Sequence, residues 1–111
     1  MSNEINYMVI LTTCPDEATA ERLARTLVEE RLAACVNRVT GVRSTYRWEG
    51  AVQEDAEVLL VIKTTGASVG TLSARLVDLH PYELPEILAL PVAGGSERYL
   101  RWLGLNVGPP A

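Results

Sequence analysis

The chain has 111 residues, of which 48% are hydrophobic, and a formal net charge of -4. This length fits one globular domain, residues 1–111 with a core at about 7–105, and leaves no room for a second domain. The ten Lys and Arg residues are scattered along an acidic chain, which argues against a nucleic-acid partner or an anionic membrane surface.

The N-terminal segment and the cysteines bear on the cellular compartment. Residues 1–6 lack the basic start and the apolar stretch of a secretory signal, and no apolar run approaches the ~20 residues that span a bilayer. Cys14 and Cys35 form neither a CxxC motif nor a dense disulfide framework, which suits a reducing compartment. These features predict a cytoplasmic protein with no membrane partner.

The first two elements are a strand and a helix. The run from Tyr7 to Thr13 is rich in β-branched residues and continuously apolar, which predicts a central strand buried on both faces. Pro15 then breaks the chain and Asp16 offers an N-cap oxygen, so a helix is expected from Asp16 to about Ala33. Its apolar residues fall at helical spacing: Ala20, Leu23, Ala24, Leu27, Val28 and Leu32.

A long β-hairpin is predicted next. We expect two antiparallel strands, one from about Cys35 to Trp48 and one from Val52 to Thr65, because this stretch is rich in β-branched and aromatic residues. The sequence at 48–51 is a plausible hairpin turn. Gly41 is expected to mark a bulge or bend in the first strand.

The predicted hairpin is too long for the body of the domain. At ~3.3 Å per residue its strands run ~45 Å, whereas a domain of this size has a radius of gyration near ~13 Å. Its outer part, which carries Tyr46 and Trp48, should therefore overhang the core and expose aromatic side chains and strand edges. A neighbouring subunit is the simplest cover, so both residues are expected at a subunit interface.

The second half repeats the pattern of strand and helix. Apolar residues at helical spacing predict a helix from Ser68 to Leu79, and Glu86 to Val92 reads as a further buried strand. Ser96 offers an N-cap for a short last helix. The order β, α, β, β, α, β, α predicts an α+β protein of ferredoxin-like βαββαβ topology with a C-terminal helix, its antiparallel sheet carrying both long helices on one face.

The bend between the second helix and the last strand is the best candidate for a site. Its two prolines stiffen the backbone around a histidine, a tyrosine and two glutamates. The segment comprises His80, Pro81, Tyr82, Glu83, Leu84, Pro85 and Glu86. The alternative is a tight connection in which the only histidine of the chain satisfies a helix C-terminus.

One hypothesis for this bend is a metal site. Imidazole and thiolate suit copper and zinc, so His80 and Cys14 are candidate ligands, with Glu83 or Glu86 as oxygen donors. Nothing in the spacing forces these residues together. Cys14, beside a proline at a strand end, is expected to be more exposed than Cys35, which reads as a small buried residue on a strand.

A second hypothesis is a small-ligand or signalling oligomer, and a third is a scaffold that anchors partners. In the second, clefts between subunits bind an anion or metabolite through Lys63, Tyr82, Trp48 and Arg47. Lys63 also reads as a strand-end charge and Trp48 as interface packing. Catalysis is not expected, because the chain has one histidine and no nucleophile or phosphate-cradling motif.

Six segments in order resemble the CutA family of divalent-cation tolerance proteins, over about Tyr7 to Leu105. They are TCPD at 13–16, ERLAACVN at 30–37, STYRWEG at 44–50, IKTT at 62–65, HPYELPEI at 80–87 and YLRW at 99–102. The resemblance implies a ferredoxin-like fold, a homotrimer whose hairpins pair across subunits, and a role in tolerance of metals, chiefly copper. It attaches no firm catalytic activity.

We therefore expect a homotrimer that binds copper or another divalent cation weakly around His80. Members proposed to bind copper tend to carry a cysteine on the first strand and a histidine pair before the Pro-Tyr segment. Here Thr12 lies on that strand with Cys14 two residues on, and Leu79 precedes His80.

Overall fold

A computed structural model describes residues 5–109 of the chain. Residues 1–4 and 110–111, which the single-domain prediction includes, lie outside the described residues. Within this part, no helix is both long and apolar enough to cross a membrane. The strands are β1 (Tyr7–Cys14), β2 (Cys35–Trp48), β3 (Ala51–Thr65) and β4 (Leu88–Pro91), and the helices are α1 (Glu17–Glu29), α2 (Val69–Leu79) and α3 (Glu97–Leu105).

The four strands form one antiparallel sheet in the order β2-β3-β1-β4. Helices α1 and α2 pack on one face of this sheet, and the predicted ferredoxin-like α+β topology is confirmed. The core between helices and sheet consists of aliphatic side chains from α1, α2, β1 and β3, each of which contributes ~1.5–3 kcal/mol by leaving water. Its largest members are Ile10, Leu23, Leu27, Leu60, Ile62, Leu72 and Leu76.

Helix α1 begins as predicted and ends earlier than predicted. The Asp16 side chain accepts a hydrogen bond from the Thr19 backbone N–H at 2.7 Å, which confirms the N-cap. The expected end near Ala33 is wrong, because Arg31 adopts a left-handed conformation with φ 59° that stops the helix. The Arg31 guanidinium then donates to the carbonyl oxygens of Leu105 and Gly108 and fastens the C-terminal segment to this end of the body.

Two strands are less buried than their apolar sequences suggested. In β1, only the residues that face α1 and α2 are fully buried, and the alternate residues are half-buried. The buried strand expected from Glu86 to Val92 is wrong in both extent and burial: β4 spans four residues, all of them exposed. The reason is that β4 is an edge strand and that α1 and α2 cover only one face of the sheet.

The hairpin overhangs the domain body as expected. The molecule measures 49 × 25 × 23 Å, with a radius of gyration of 14.9 Å, and residues 45–56 are all exposed. The turn is the predicted one, with Glu49 and Gly50 at φ 49° and 79°. Positive φ at both central residues matches the right-handed twist of the two strands.

A β-bulge divides β2 into an inner and an outer part. Val39 pairs with Leu59 and Val42 pairs with Glu57, so two residues of β2 stand opposite one residue of β3. Gly41 lies in this bulge with φ 79°, a conformation that side chains disfavour. The bulge predicted at Gly41 is therefore confirmed.

The bulge changes which side chains of β2 face the helices. Successive residues of a strand point to opposite faces, so one extra residue exchanges the two faces for the rest of the strand. Beyond the bulge, Tyr46 and Trp48 lie on the sheet face that carries Glu57, the face turned away from α1 and α2. Arg43 and Arg47 lie on the other face.

Candidate functional site

A cleft with a volume of about 790 Å³ lies between the outer hairpin and the proline-rich bend. We call it the hairpin cleft. The outer part of β2 forms one wall, the bend forms the opposite wall, and β1 and β3 supply the floor. It is lined by Thr13, Ser44, Thr45, Tyr46, Trp48, Glu57, Tyr82, Glu83, Leu84, Pro85 and Glu86.

Glu57 and Tyr82 join the floor of the cleft to the bend. The Tyr82 hydroxyl donates a hydrogen bond of 2.7 Å to Oε2 of Glu57, whose side chain belongs to a residue only 8% exposed. Burial, and then this bond to a carboxylate, raise the pKa of Tyr82 far above its usual value. The phenol therefore stays protonated and serves as a fixed donor.

A second phenol–carboxylate pair holds the outer wall. The Tyr46 hydroxyl donates to the carboxylate of Asp55 on the neighbouring strand, and this bond raises the pKa of Tyr46. Such cross-strand contacts are the elementary stabilising units of a sheet. The pair orients the Tyr46 ring beside Trp48 at the mouth of the cleft.

His80 has both ring nitrogens occupied. Its Nε2 lies 2.8 Å from the carbonyl oxygen of Thr13, and its Nδ1 lies 3.1 Å from the backbone nitrogen of Tyr82. A carbonyl can only accept and an N–H can only donate, so the neutral ring carries its proton on Nε2. With 7% of the residue exposed, His80 ties the start of the bend to the end of β1.

The structure reverses the order of exposure expected for the two cysteines. Cys14 is fully buried and Cys35 is half-buried, so the prediction that Cys14 is the more exposed is wrong. The cause is that Cys14 points from β1 into the core beneath the helices. Burial, followed by the nearby carboxylates of Asp16 and Glu57, raises the pKa of the Cys14 thiol to about 11. A protonated thiol is a poor metal ligand.

The four residues expected to hold a metal do not form a ligand set within one subunit. Glu83 and Glu86 are exposed and line the cleft, whereas the His80 nitrogens are engaged and Cys14 is buried. Among residues 5–109, no group of three or more His, Cys, Asp or Glu side chains is placed to hold a metal ion. The donors among residues 5–109 are therefore not assembled as a copper or zinc centre.

The structure brings together two of the four residues expected in a ligand cleft. Tyr82 and Trp48 both line the hairpin cleft, but Lys63 and Arg47 do not. The Lys63 ammonium donates to the side-chain oxygen of Asn37 and lies 4.0 Å from the Cys35 sulfur, near the start of β2. Because Arg47 and Trp48 are neighbours on one strand, they point to opposite faces.

Sequence reasoning missed Glu57, the buried carboxylate on the floor of the cleft. The signal was present, because Glu57 begins the run Glu57-Val58-Leu59-Leu60, in which the three residues that follow it are all apolar. A charged residue at the edge of such a run is either solvated or engaged. Choosing between the two required the position of the bulge, which places Glu57 opposite Val42 and beneath Tyr82.

The fold and the cleft define a ferredoxin-like α+β domain with an overhanging hairpin and an acidic, aromatic cleft at its base. The family model described as CutA1 divalent ion tolerance protein matches residues 8–106. The chain belongs to this family.

Individual relatives agree with the family match. The divalent-cation tolerance protein CutA of Thermus thermophilus is 54% identical over 100 residues, which cover 90% of this chain and 97% of the relative. A chloroplastic CutA of Arabidopsis thaliana is 44% identical over 102 residues, 92% of this chain and 56% of that protein. The crystal structure of CutA1 from Oryza sativa matches with a TM-score of 0.92 at 42% identity, covering 96% of this chain and 98% of that chain.

The names of these relatives bear on two further predictions. The family description and the name of the Thermus relative denote tolerance of divalent cations rather than a catalysed reaction. The Arabidopsis relative is named as chloroplastic, so family membership does not fix a compartment, and the cytoplasmic location of this chain stays a prediction.

Proposed function

We propose that this chain is a homotrimeric divalent-cation tolerance protein that uses the hairpin cleft as its binding surface. The observation that carries the proposal is the family match over residues 8–106, together with 54% identity to a divalent-cation tolerance protein. The cleft is the natural surface because it has a volume of about 790 Å³ and joins three aromatic residues to three carboxylates.

Exposed apolar surface and strand edges support the trimer. The 14-residue edge strand β2 has no partner on its outer side within residues 5–109, and residues 45–56 of the hairpin are exposed. Leu88 and Leu90 on the opposite edge are also exposed. Native proteins usually cover long unpaired edges, and neighbouring copies of the chain would do so here.

Any divalent cation is expected to bind weakly. Glu83 and Glu86 offer exposed oxygen donors, whereas His80 contributes only when its Nδ1 releases the Tyr82 N–H, and Cys14 only when its thiol is uncovered and ionised. Copper is the favoured ion because an imidazole freed in this way suits it well. Each of these steps costs free energy, so the apparent affinity falls.

Calorimetric titration with Cu(II) and Zn(II) tests the metal role. We expect the wild type to bind the ions weakly. The affinity should fall more in the double variant Glu83→Gln/Glu86→Gln than in His80→Ala. Glu17→Gln and Glu21→Gln on α1 together give a matched control with the same change of charge. Equal copper affinity in wild type and His80→Ala would remove His80 from the metal role, and a wild type that binds neither ion would contradict the proposal.

Sedimentation of Trp48→Glu tests the assembly. Trp48 is 39% exposed in a single subunit, and burying the rest of its ring between copies should stabilise the trimer. We expect Trp48→Glu to dissociate the oligomer at micromolar concentration. Val77→Glu on α2, which adds the same charge at an exposed aliphatic side chain, should leave it intact. A monomeric wild type at this concentration would show that the hairpin needs no neighbour.

A small-ligand or signalling role is the second candidate. The cleft volume of about 790 Å³ and its aromatic lining favour it, since both are typical of sites for small molecules. An anion held by Lys63 and Arg47 with Tyr82 and Trp48 requires two subunits to bring these residues together, and it stays a prediction. The scaffold role has no separate observation in its favour.

A further inference from the structure

The hairpin cleft is lined by carboxylates and by no basic side chain of residues 5–109. Its charged lining residues are Glu57, Glu83 and Glu86, and the carboxylate of Asp55 accepts a hydrogen bond from Tyr46 in the lining. Like charges repel, so an anionic ligand would enter this cleft against the field of the protein. The charge of the cleft favours a cation.

Glu57 is the residue in the cleft at which a cation is expected to bind. The residue is 8% exposed, and the one hydrogen bond described for its carboxylate comes from the neutral Tyr82 phenol at 2.7 Å. Over the described residues, the ion pairs join Arg25 to Glu29 and Arg75 to Glu30, and neither includes Glu57. A buried carboxylate is usually paired with a cation, because burying an unpaired charge is costly.

The remaining lining explains what kind of cation fits. Tyr46, Trp48 and Tyr82 bring three aromatic rings to the same cleft as the buried carboxylate. Both phenols donate to carboxylates, which fixes the positions of their rings. The face of an aromatic ring attracts an ammonium group, and most strongly where water is partly excluded.

We propose that the hairpin cleft binds a small organic ammonium ion, with its charged group against Glu57 and its apolar body on Trp48 and Tyr46. A divalent ion held by the exposed carboxylates of Glu83 and Glu86 would leave the aromatic rings and the buried Glu57 unused. A neutral molecule would leave Glu57 without a counter-charge. The inference rests on the proposed use of the cleft as a binding surface, and it is independent of metal binding.

A second copy of the chain is the competing source of a cation. In an assembly, a Lys or Arg side chain of a neighbour could enter the cleft and pair with Glu57. The aromatic lining argues for the small molecule, because an internal ion pair needs no enclosing rings. In the proposed trimer this molecule lies in a cleft between two copies, so that Trp48 and Tyr46 contact both the molecule and the neighbour. The experiment therefore has to separate a soluble ammonium ion from a cation supplied by a neighbour.

Calorimetric titration of the full chain with matched charged and neutral probes makes this separation. Choline is compared with its neutral carbon isostere 3,3-dimethylbutan-1-ol, and butylammonium with butan-1-ol. We expect the charged member of each pair to bind at least about tenfold more tightly, which corresponds to ~1.4 kcal/mol. This comparison uses the wild type alone, so it does not depend on a variant that folds.

Variants then locate the site. Glu57→Gln keeps an acceptor for the Tyr82 hydroxyl but removes the charge, and we expect it to weaken choline binding at least about tenfold. Glu21→Gln on α1 removes a charge elsewhere and should leave the affinity within about twofold. Trp48→Leu should weaken binding, whereas Trp102→Leu, at an exposed tryptophan outside the cleft, should not. Sedimentation of each variant shows whether assembly is retained.

Three results would overturn the proposal. Equal affinity for choline and its neutral isostere would show that charge does not matter, and unchanged choline binding by Glu57→Gln would place the site elsewhere. A wild type that binds neither choline nor butylammonium would contradict the proposal, and if Glu57→Gln also dissociates the oligomer, the cation paired with Glu57 belongs to a neighbouring copy. Loss of Cu(II) binding in His80→Ala or in the double glutamate variant leaves these results unaffected, so the two proposals fail separately.

Discussion

The sheet has an inner half, which lies beneath α1 and α2, and an outer half, which is the overhanging part of the hairpin. The two halves are built from similar residues and differ in what covers them. The inner half presents Ile10, Leu60 and Ile62 to α1 and α2, and all three are fully buried. Within residues 5–109, no helix covers either side of the outer half, and residues 45–56 are exposed. The difference shows that burial follows from what covers a strand rather than from its β-propensity alone.

The two halves also differ in how freely their side chains can be changed. In the inner half, one face is committed to close packing, and a change of volume there is costly. In the outer half, the bulge at Gly41 selects the side chains that face the cleft. The inner half fixes where the hairpin starts, and the outer half supplies one wall of the hairpin cleft.

The largest expected effect tests the stability difference directly. Leu72 on α2 is fully buried, so Leu72→Ala should lower the free energy of unfolding by ~2–5 kcal/mol through lost burial and a cavity. Val52 in the outer hairpin is 62% exposed, and Val52→Ala should change the free energy of unfolding by less than ~0.5 kcal/mol. Urea denaturation measures both. A comparable loss in the two variants would mean that the outer hairpin is packed as tightly as the core.

A smaller effect is expected at the boundary between the halves. Gly41 has φ 79° and open space where a Cβ would lie, so Gly41→Ala should cost ~1 kcal/mol through backbone strain alone. Gly94→Ala is the matched control, because Gly94 also has open space but no positive φ. Thermal unfolding compares the two variants. If Gly41→Ala is as stable as Gly94→Ala, the bulge tolerates a side chain and its glycine is not required.

The smallest effect, taken at about pH 9.5, concerns the buried thiol of the inner half. The pKa of Cys14 is raised from 9.0 to about 11, so the unfolded chain loses this proton first as the pH rises. Stability is therefore unaffected below about pH 9 and falls between about pH 9 and 11, by somewhat under ~1 kcal/mol at about pH 9.5. Cys14→Ala should lack this component of the pH dependence. Identical slopes of stability against pH in the two proteins would show that Cys14 titrates normally.

Much of the fold follows from local sequence signals. The N-caps at Asp16 and Ser96, the turn at 48–51 and the bulge at Gly41 were all identified from residue types that satisfy backbone groups or tolerate positive φ. The end of α1 was missed because Arg31, a good helix former, takes a left-handed conformation there while its side chain binds distant carbonyls. No local pattern carries that information.

The candidate site was only partly predictable for the same reason. The bend with His80 and Tyr82 stands out by composition, as does the aromatic end of β2. Grouping them with Glu57 depends on the register of β2 against β3, which a one-residue bulge alters. The state of Cys14 depends on the helices above it, which the strand sequence does not contain.

Because successive residues of β2 point to opposite faces, the number of residues between the bulge and the turn decides which side chains face the cleft. Inserting one residue between Gly41 and the turn, with the inner pairing unchanged, would send Trp48 to the far side and bring an arginine to the cleft. Inserting two would restore the original orientation at a new distance from the bend. The hairpin can therefore be lengthened by an even number of residues with the same β2 side chains facing the cleft, while an odd insertion would place an arginine beside the carboxylates of Glu57, Glu83 and Glu86.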